Sequence, residues 1–266
     1  MKASDIASVF KLPRLTYRVW NVWRRDFDVF MKTWKVNFLP PLLEPIFYLV
    51  AMGYGLGAFV HSVDGVAYIQ FIAPALVSIS MMYSSFFECT YGSFVRMYYQ
   101  KTFDAIIATP ISIEEVIAGE MLWGATRSLI GSSIVLCVVA AFGLVQSPLA
   151  LFIPAVAFFS GLMFSAIAMA FTSLAPNIDF FNYPGFLYIT PMFLLSGTFF
   201  PLASLPPAMQ TFATTFLPLP HTVMLTRGLI LGILPTTLLT SIAWMAIVTP
   251  IFFILSTNLM KRKLIK

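Results

Sequence analysis

The chain has 266 residues, of which 59% are hydrophobic and only 10% charged, and its mean hydropathy is +0.87. Soluble domains usually carry about 25% charged residues, so much of this protein's surface must face a medium other than water. That medium is lipid, and the same apolar content excludes a disordered chain. The composition therefore predicts an integral membrane protein.

The basic residues cluster at a few places along the chain. The net charge is +5, yet residues 36–95 and 128–226 contain no Lys or Arg. This distribution is typical of loops that stay on the cytoplasmic side of a membrane, and it argues against a nucleic-acid-binding surface. Cys89 and Cys137 lie in apolar runs without a close partner, which indicates neither a disulfide nor a zinc site.

Residues 1–36 are polar and basic, and they are interpreted as a cytoplasmic segment without a cleavable signal peptide. Between Leu15 and Lys35, aromatic residues recur at three- and four-residue spacing, with basic residues largely elsewhere around the helix. This pattern predicts an amphipathic helix in the headgroup layer, with a soluble helix packed on another domain as the alternative. The residues assigned to this interfacial helix are Trp20, Trp23, Arg24, Arg25, Phe27 and Trp34.

Six apolar stretches are each long enough to cross about 30 Å of hydrocarbon, which takes about 20 helical residues. The sequence thus predicts an all-α fold with six transmembrane helices in a single domain at 37–260. An even number of spans after a basic N-terminus places both termini in the cytoplasm, in agreement with the basic tail at 261–266. The six stretches run near 38–60, 67–92, 119–145, 149–175, 183–203 and 236–259.

Residues 204–235 are apolar, but five prolines divide them into pieces too short to span. Non-helical backbone at membrane depth requires burial in protein or a wet cavity. We expect a re-entrant pair of short helices that dips in from the outer face. One broken spanning helix is the alternative, and it would place the basic tail on the outer side of the membrane. The residues assigned to this exit region are Pro218, Pro220, His221 and Arg227.

The connection at 93–118 is the longest one expected on the inner side. Thr109-Pro110 is typical of a helix start, and the stretch from Ser112 to Glu115 fits a capping box. We predict that a short, exposed, acidic helix starts there and docks a partner, with a merely solvated helix start as the alternative. The residues assigned to docking are Asp104, Thr109, Pro110, Ser112, Glu114 and Glu115.

Three charged residues, Glu44, Glu88 and Arg127, fall inside predicted spans, toward the cytoplasmic side. Charged groups in a bilayer are costly and are usually paired or functional. We interpret the three as an Arg–Glu network that braces the spans. A gate that rearranges during transport is one alternative, and ion coupling is another.

The sequence contains no GxSxG, HExxH or clustered Cys/His motif and no GxxxxGK[ST] phosphate loop. The chain is therefore predicted to be no enzyme, with no catalytic residues, no metal and no cofactor of its own. Energy for transport has to come from a partner or from an ion gradient. An ion-coupled carrier or channel is accordingly the alternative of another class.

A set of ordered segments resembles the membrane subunit of type 2 ABC exporters, and within it the nodulation-protein-J-like branch of lipo-oligosaccharide export permeases. The set covers nearly the whole chain. Its members are FLPPLLEP at 38–45, GYGLG at 53–57, YIQFIAP at 68–74, TYGSF at 90–94, GEMLW at 119–123, SGTFFP at 196–201, and PLPH at 218–221 with Arg227.

The resemblance implies a permease subunit of an ATP-driven exporter in a bacterial inner membrane. It implies that two copies pair and that each engages a separate ATPase subunit, which holds the ATP and Mg²⁺. It further implies that the helix from Pro110 to about Ala118 is the coupling helix, that residues 20–35 also touch the ATPase, and that residues 206–232 plug the outer exit. The implied cargo is a lipid-linked saccharide or similar amphiphile, with a drug or polyketide-like molecule as the alternative.

Overall fold

The structure is a computed structural model that describes residues 12–60, 62–233 and 236–265. Residues 1–11 of the predicted N-terminal segment and Lys266 of the predicted tail lie outside these ranges. Within them the chain is almost entirely helical, with a two-stranded antiparallel hairpin of β1 (Ser62–Val63) and β2 (Val66–Ala67). The α-helices are α1 (Val19–Val50), α2 (Tyr68–Phe87), α3 (Thr102–Ile107), α4 (Ile113–Ala141), α5 (Ile153–Leu174), α6 (Asn182–Pro184), α7 (Thr190–Leu195), α8 (Pro207–Phe216), α9 (Pro218–Leu231) and α10 (Leu238–Leu264).

Short π-helical or 3-10 segments extend several of these helices. Those that matter here are Ala51–Gly55 and Leu56–Ala58 after α1, Glu88–Gly92 and Val95–Tyr99 after α2, Pro148–Phe152 before α5, and Ile178–Phe181 and Gly185–Ile189 around α6.

The described residues contain five helices that are long and apolar enough to cross a membrane. They are Val19–Ala58, Tyr68–Tyr99, Ile113–Ala141, Pro148–Leu174 and Leu238–Leu264, and each overlaps a predicted span. The stretch predicted at 183–203 is not among them. It is helical only to Leu195 and consists of short pieces, because Pro184 ends α6 and Pro191 lies at the start of α7. The chain is a multi-pass helical membrane protein.

Helices α1 and α4 begin at one end of the bundle, where α2, α5 and α10 end, so α5 and α10 run in the same direction. Following the orientation predicted from the sequence, we call this the inner end and the opposite one the outer end. At the inner end, the Lys261 ammonium of α10 lies 2.5 Å from the Glu114 carboxylate of α4. Lys263 donates there to the carbonyl of Thr172, at the end of α5. At the outer end, the backbone N–H of Gln146, after α4, donates to the carbonyl of Ile230 in α9. The charged residues 261–263, predicted as a tail, thus form the last turn of α10.

Helix α5 lies at the centre of the bundle and packs against α2, α4 and α10. Small residues permit the closest approaches: Gly161 of α5 lies against Ser128 of α4, and Gly124 of α4 lies against Ser165 of α5 and Cys89. Backbones can come this near only where no Cβ intervenes. The α4–α5 pair is therefore the tightest part of the core.

Helix α1 covers both the predicted interfacial helix and most of the predicted first span, with no loop between them. Its first half packs on α4 through Val22, which contacts Gly119, and through the ion pair of Arg25 with Glu120. The aromatic stripe does not share one environment, since Trp20 and Trp34 are exposed. Trp23 instead turns inward and donates its indole N–H to the Thr126 hydroxyl.

The expectation of a separate helix from Pro110 to about Ala118 is wrong. The separate short helix of the inner connection is α3, and residues from Ile113 onward belong to α4, which continues without a break through the bundle. Thr109-Pro110 does not start a helix. The Thr109 hydroxyl donates to the carbonyl of Ile106 and so closes the end of α3.

Residues 204–233 contain two short helices, α8 and α9, separated by Leu217. Pro218 lies in the first turn of α9, where a missing N–H costs nothing. Inside the bundle, the Thr226 hydroxyl lies 2.6 Å from the Ser78 hydroxyl and 3.1 Å from the Pro74 carbonyl, both on α2. Gly232 ends α9 with φ of 75°, a left-handed conformation that glycine adopts without strain.

Candidate functional site

Six charged side chains meet at the inner end of the bundle, and we call them the inner charge cluster. They come from three stretches of helix: α1, the extension of α2, and α4. Salt bridges link all six into one connected set. The members are Arg25, Asp26, Glu88, Arg96, Glu120 and Arg127.

Glu120 is the centre of this cluster and is completely buried. Its carboxylate accepts from both Nε and Nη2 of Arg96, the latter at 2.5 Å. It also accepts from the Ser93 hydroxyl at 2.7 Å and from Arg25 at 3.0 Å. A buried carboxylate is tolerated only when its lone pairs are filled in this way. Charge-assisted bonds of this kind are strong and orient the guanidinium groups.

Glu88 bridges two arginines at the edge of the cluster. Its carboxylate lies 2.8 Å from Arg96 and 3.4 Å from Arg127. Arg127 also donates to the Asn37 side chain and lies over the Phe30 ring at 4.9 Å. Two of the three intramembrane charges singled out in the sequence, Glu88 and Arg127, therefore lie together.

Glu44 lies outside this cluster. It is exposed on α1 and lines a cavity shared with α2, α4 and α7. No described residue forms an ion pair with it. The third predicted member of the Arg–Glu network is thus in a different place from the other two.

The principal buried charges, Glu120, Asp26 and Arg96, were not recognised as site residues from the sequence. Arg96 was assigned to the inner loop because the apolar run ends near residue 92, but the helix continues to Tyr99. Glu120 lies near the predicted start of the span at 119–145, and Asp26 lies among the charged residues of the predicted interfacial helix. The available signal was Glu120 itself, an acid inside an otherwise apolar helix, for which a cationic partner has to exist.

The acidic start of α4 is a capping box, as predicted. Ser112 Oγ accepts from the Glu115 N–H, and the Glu115 carboxylate accepts from the Ser112 N–H at 2.7 Å. The expectation that this turn is exposed is wrong. Glu115 is only 2% exposed because Thr16 covers it and donates to it from both its backbone and its hydroxyl. The Glu114 carboxylate forms an ion pair with the Lys261 ammonium.

The surface that does project at the inner end comprises residues 98–110, which we call the inner knob. Tyr98, Tyr99 and Asp104 are exposed on it, whereas Phe103 is fully buried and anchors α3 in the core. Of the residues assigned to docking, Asp104, Thr109 and Pro110 lie on the knob. Ser112, Glu114 and Glu115 form the base beneath it. Arg18 donates to the Pro110 carbonyl and ties α1 to the end of the knob.

The residues assigned to the interfacial helix divide into three groups. Trp20 and Trp23 stack at 4.1 Å, and Phe27 stacks on Trp23 at 5.2 Å. Arg25 belongs to the inner charge cluster. The other two, Arg24 and Trp34, are exposed.

The residues assigned to the exit region lie in α9 at the outer half. His221 is buried between the Thr214 carbonyl at 2.9 Å and the Ser241 hydroxyl at 3.2 Å, with its ring stacked on Trp244. Pro218 and Pro220 are also buried.

Arg227 joins three elements at the outer end. Its guanidinium group donates to the carbonyl of Gly197 at 2.8 Å and lies 3.8 Å from the centroid of the Phe71 ring. This contact ties α9 to α2 and to the chain that follows α7. Across the described residues, no three His, Cys, Asp or Glu side chains group as metal ligands would.

Comparison with known proteins places this architecture in a family. Residues 17–231 match the family model described as ABC-2 type transporter. The chain is 36% identical over 259 residues to nodulation protein J of Rhizobium leguminosarum bv. trifolii, which covers 97% of this chain and 98% of that protein. It is 36% identical over 248 residues to nodulation protein J of Rhizobium meliloti (strain 1021), with 92% and 94% covered. It is 23% identical over 242 residues to the inner membrane transport permease YadH of Escherichia coli (strain K12), with 91% and 94% covered. The chain belongs to the ABC-2 type transporter family.

Proposed function

We propose that the chain is the membrane permease subunit of an ATP-driven exporter in a bacterial inner membrane, and that it works as a homodimer with two copies of a separate ATPase subunit. The observation that carries the proposal is the inner knob. It projects between two long helices, exposes Tyr98, Tyr99 and Asp104, and is anchored by Phe103. A rigid projection of this kind suits a partner that pushes on the bundle from the cytoplasm.

The inner charge cluster supports a route for that movement. Arg96 lies two residues before Tyr98 of the knob and binds Glu120 of α4. Arg25 of α1 binds the same carboxylate. A displacement of the knob therefore acts on three stretches of helix together, because one set of ion pairs holds them. Glu88 and Arg127 brace this set in the proposal.

We place six crossings in the membrane, with both termini on the cytoplasmic side. The sixth is residues 178–195, whose eighteen helical residues extend about 27 Å, close to the thickness of the hydrocarbon. Support comes from its contacts: the Phe181 ring lies 5.4 Å from Phe94 near the inner end, and Gly197 meets Arg227 at the outer end. In this arrangement α8 and α9 re-enter from the outer face, and the first half of α1 lies at headgroup level.

The resemblance to lipo-oligosaccharide export permeases supports a lipid-linked saccharide or similar amphiphile as cargo. Such a molecule can leave its tail in lipid while its head crosses between helices. The test is to reconstitute the purified chain in proteoliposomes with and without its copurifying ATPase and to follow a fluorescent glycolipid. We expect transport that needs both the ATPase and ATP. Transport by the chain alone, driven by a proton gradient, would refute the proposal and favour an ion-coupled carrier.

The docking surface is tested separately by photocrosslinking. We expect a photoreactive residue in place of Asp104 to crosslink the ATPase. The matched control is the same residue in place of Leu151, which is 85% exposed in the turn that begins α5 at the outer end. Equal crosslinking from both positions would exclude the inner knob as the docking surface.

A further inference from the structure

A largely apolar cavity of about 230 Å³ with several polar side chains in its wall lies between α1, α2, α4 and α7. Along α2 it extends over Leu76 to Ser84, which places it between Phe71 at the outer Arg227 contact and Glu88 in the inner charge cluster. Five oxygen-bearing side chains line it within the membrane-crossing part of the bundle, where polar groups are costly. They are Glu44, Tyr48, Ser80, Tyr83 and Ser84.

The polar groups of these five side chains have no hydrogen-bonding role within the fold. Among the described residues, none of them forms a hydrogen bond or ion pair with the rest of the chain. Other serines of α2 behave differently: Ser78 and Ser85 donate back to the carbonyls of Pro74 and Met81, as helix serines in apolar surroundings usually do. The cavity therefore concentrates hydrogen-bonding capacity that the chain leaves open.

The five groups lie close enough to act on one ligand. Glu44 and Tyr48 lie one turn apart on α1, and Ser80, Tyr83 and Ser84 lie within about one turn of α2, on the faces that line the same cavity. An ionised carboxylate only accepts hydrogen bonds, whereas hydroxyls both donate and accept. The matching ligand carries several hydroxyl groups, with at least one of them donating to Glu44.

The remaining lining sets the size and the apolar side of that ligand. Phe193 and the prolines 40, 41 and 45 supply apolar faces next to the polar groups. The cavity measures about 230 Å³ and reaches the surface at the exposed Glu44, so a ring can enter it while the rest of the ligand stays outside. A sugar ring combines a hydroxyl-bearing edge with an apolar C–H face on this scale.

We propose that this cavity binds one hydroxyl-bearing sugar ring, with Glu44 as the acceptor and Tyr83, Tyr48, Ser80 and Ser84 completing the hydrogen bonds. The inference rests on the proposed function only in taking the ring from the head of the exported amphiphile. The same chemistry would serve a free sugar, and the experiment separates the two sources.

The test uses the full chain in lipid nanodiscs, without the ATPase or ATP, and an octyl glucoside that carries a diazirine on its sugar. Crosslinked peptides are identified by mass spectrometry. We expect labelling of α1 and α2 around Glu44 and Tyr83. Unlabelled octyl glucoside should compete, whereas octyl tetraethylene glycol, with the same tail but a polyether head, should not. Equal competition by both would overturn the proposal, because the tail alone would then explain binding.

Variants test the assignment of the oxygens. We expect Glu44→Gln to weaken labelling about tenfold or more, since it removes a charge-assisted acceptor. Tyr83→Phe should weaken it about fivefold, because it removes one neutral hydrogen bond and keeps the ring. Tyr99→Phe, on the exposed inner knob, is the matched control and should change nothing. Equal labelling in all three variants would overturn the proposal.

Two further measurements, competition by free glucose and the dimer content of Glu44→Gln, identify what binds in the cavity. Competition by free glucose as strong as that by octyl glucoside supports the ring site and assigns it to a free sugar. Competition by the glucoside alone supports it and assigns it to a glycolipid. If Glu44→Gln lowers labelling only in proportion to a loss of dimer, measured by native mass spectrometry, the five groups serve a second copy of the chain and the proposal is wrong. Since no ATP is used, failure of ATP-driven transport would leave this result standing.

Discussion

Replacing Glu120 by glutamine tests whether the inner charge cluster holds the bundle together. Glutamine keeps the shape of Glu120 but removes the charge and turns one acceptor into a donor that faces Arg96. Removing one partner of a buried ion pair typically costs 3–5 kcal/mol. We expect a loss of about 3 kcal/mol in the free energy of unfolding, the lower end of this range, because Arg96 is still paired with Glu88 and Arg25 with Asp26. That loss lowers the ratio of folded to unfolded protein by about a hundredfold.

The assay is unfolding by sodium dodecyl sulfate in mixed micelles, followed by tryptophan fluorescence. Glu114→Gln is the matched control, since it makes the same chemical change at an ion pair whose Lys261 side chain is 41% exposed. Pairs open to solvent contribute about 1 kcal/mol or less. If Glu120→Gln unfolds no more readily than Glu114→Gln, the cluster is not a principal source of stability and the reasoning fails.

Two other substitution pairs use the same unfolding assay. Arg96→Ala should lower the free energy of unfolding by about 3 kcal/mol or more, because the buried Glu120 loses its main partner. Arg127→Ala should lower it by only about 1 kcal/mol, because Glu88 still pairs with Arg96. A larger loss for Arg127→Ala than for Arg96→Ala would contradict the assigned geometry. Gly161→Ala should cost about 1–3 kcal/mol, since its new methyl group would overlap α4, whereas Gly185→Ala meets open space and should cost less. Equal losses at the two glycines would show that the α4–α5 contact is looser than described.

Local patterns in the sequence predicted local structure well. Long apolar runs located five membrane-crossing helices, because hydropathy depends only on neighbouring residues. The capping box at Ser112 was visible because both of its partners lie within four residues. The interpretation of that turn as exposed failed, since Thr16 covers Glu115 from 99 residues away in the chain. A contact between residues so far apart in the chain leaves no periodic pattern in the sequence.

The charged residues show the same division between local and distant information. Glu88 and Arg127 stood out because each interrupts an apolar run. Asp26 did not, because charged residues surround it in the sequence, and Arg96 did not, because it follows the end of the apolar run near residue 92. Only the folded bundle brings both together with Glu120. The separate short helix was likewise expected eight residues too late, at Pro110 instead of Thr102, because the proline after Thr109 is typical of a helix start whereas the chain there closes α3.

The contacts that Lys261 and Lys263 make at the inner end constrain the order in which the protein is built. Their partners Glu114 and Thr172 are synthesised 147 and 91 residues earlier. Helices α4 and α5 therefore enter the bilayer with these groups still uncovered. Glu114 and the end of α5 are covered only once residues 261–263 have been synthesised and the last turn of α10 has packed against α4 and α5, so this end of the bundle closes in a late step of assembly.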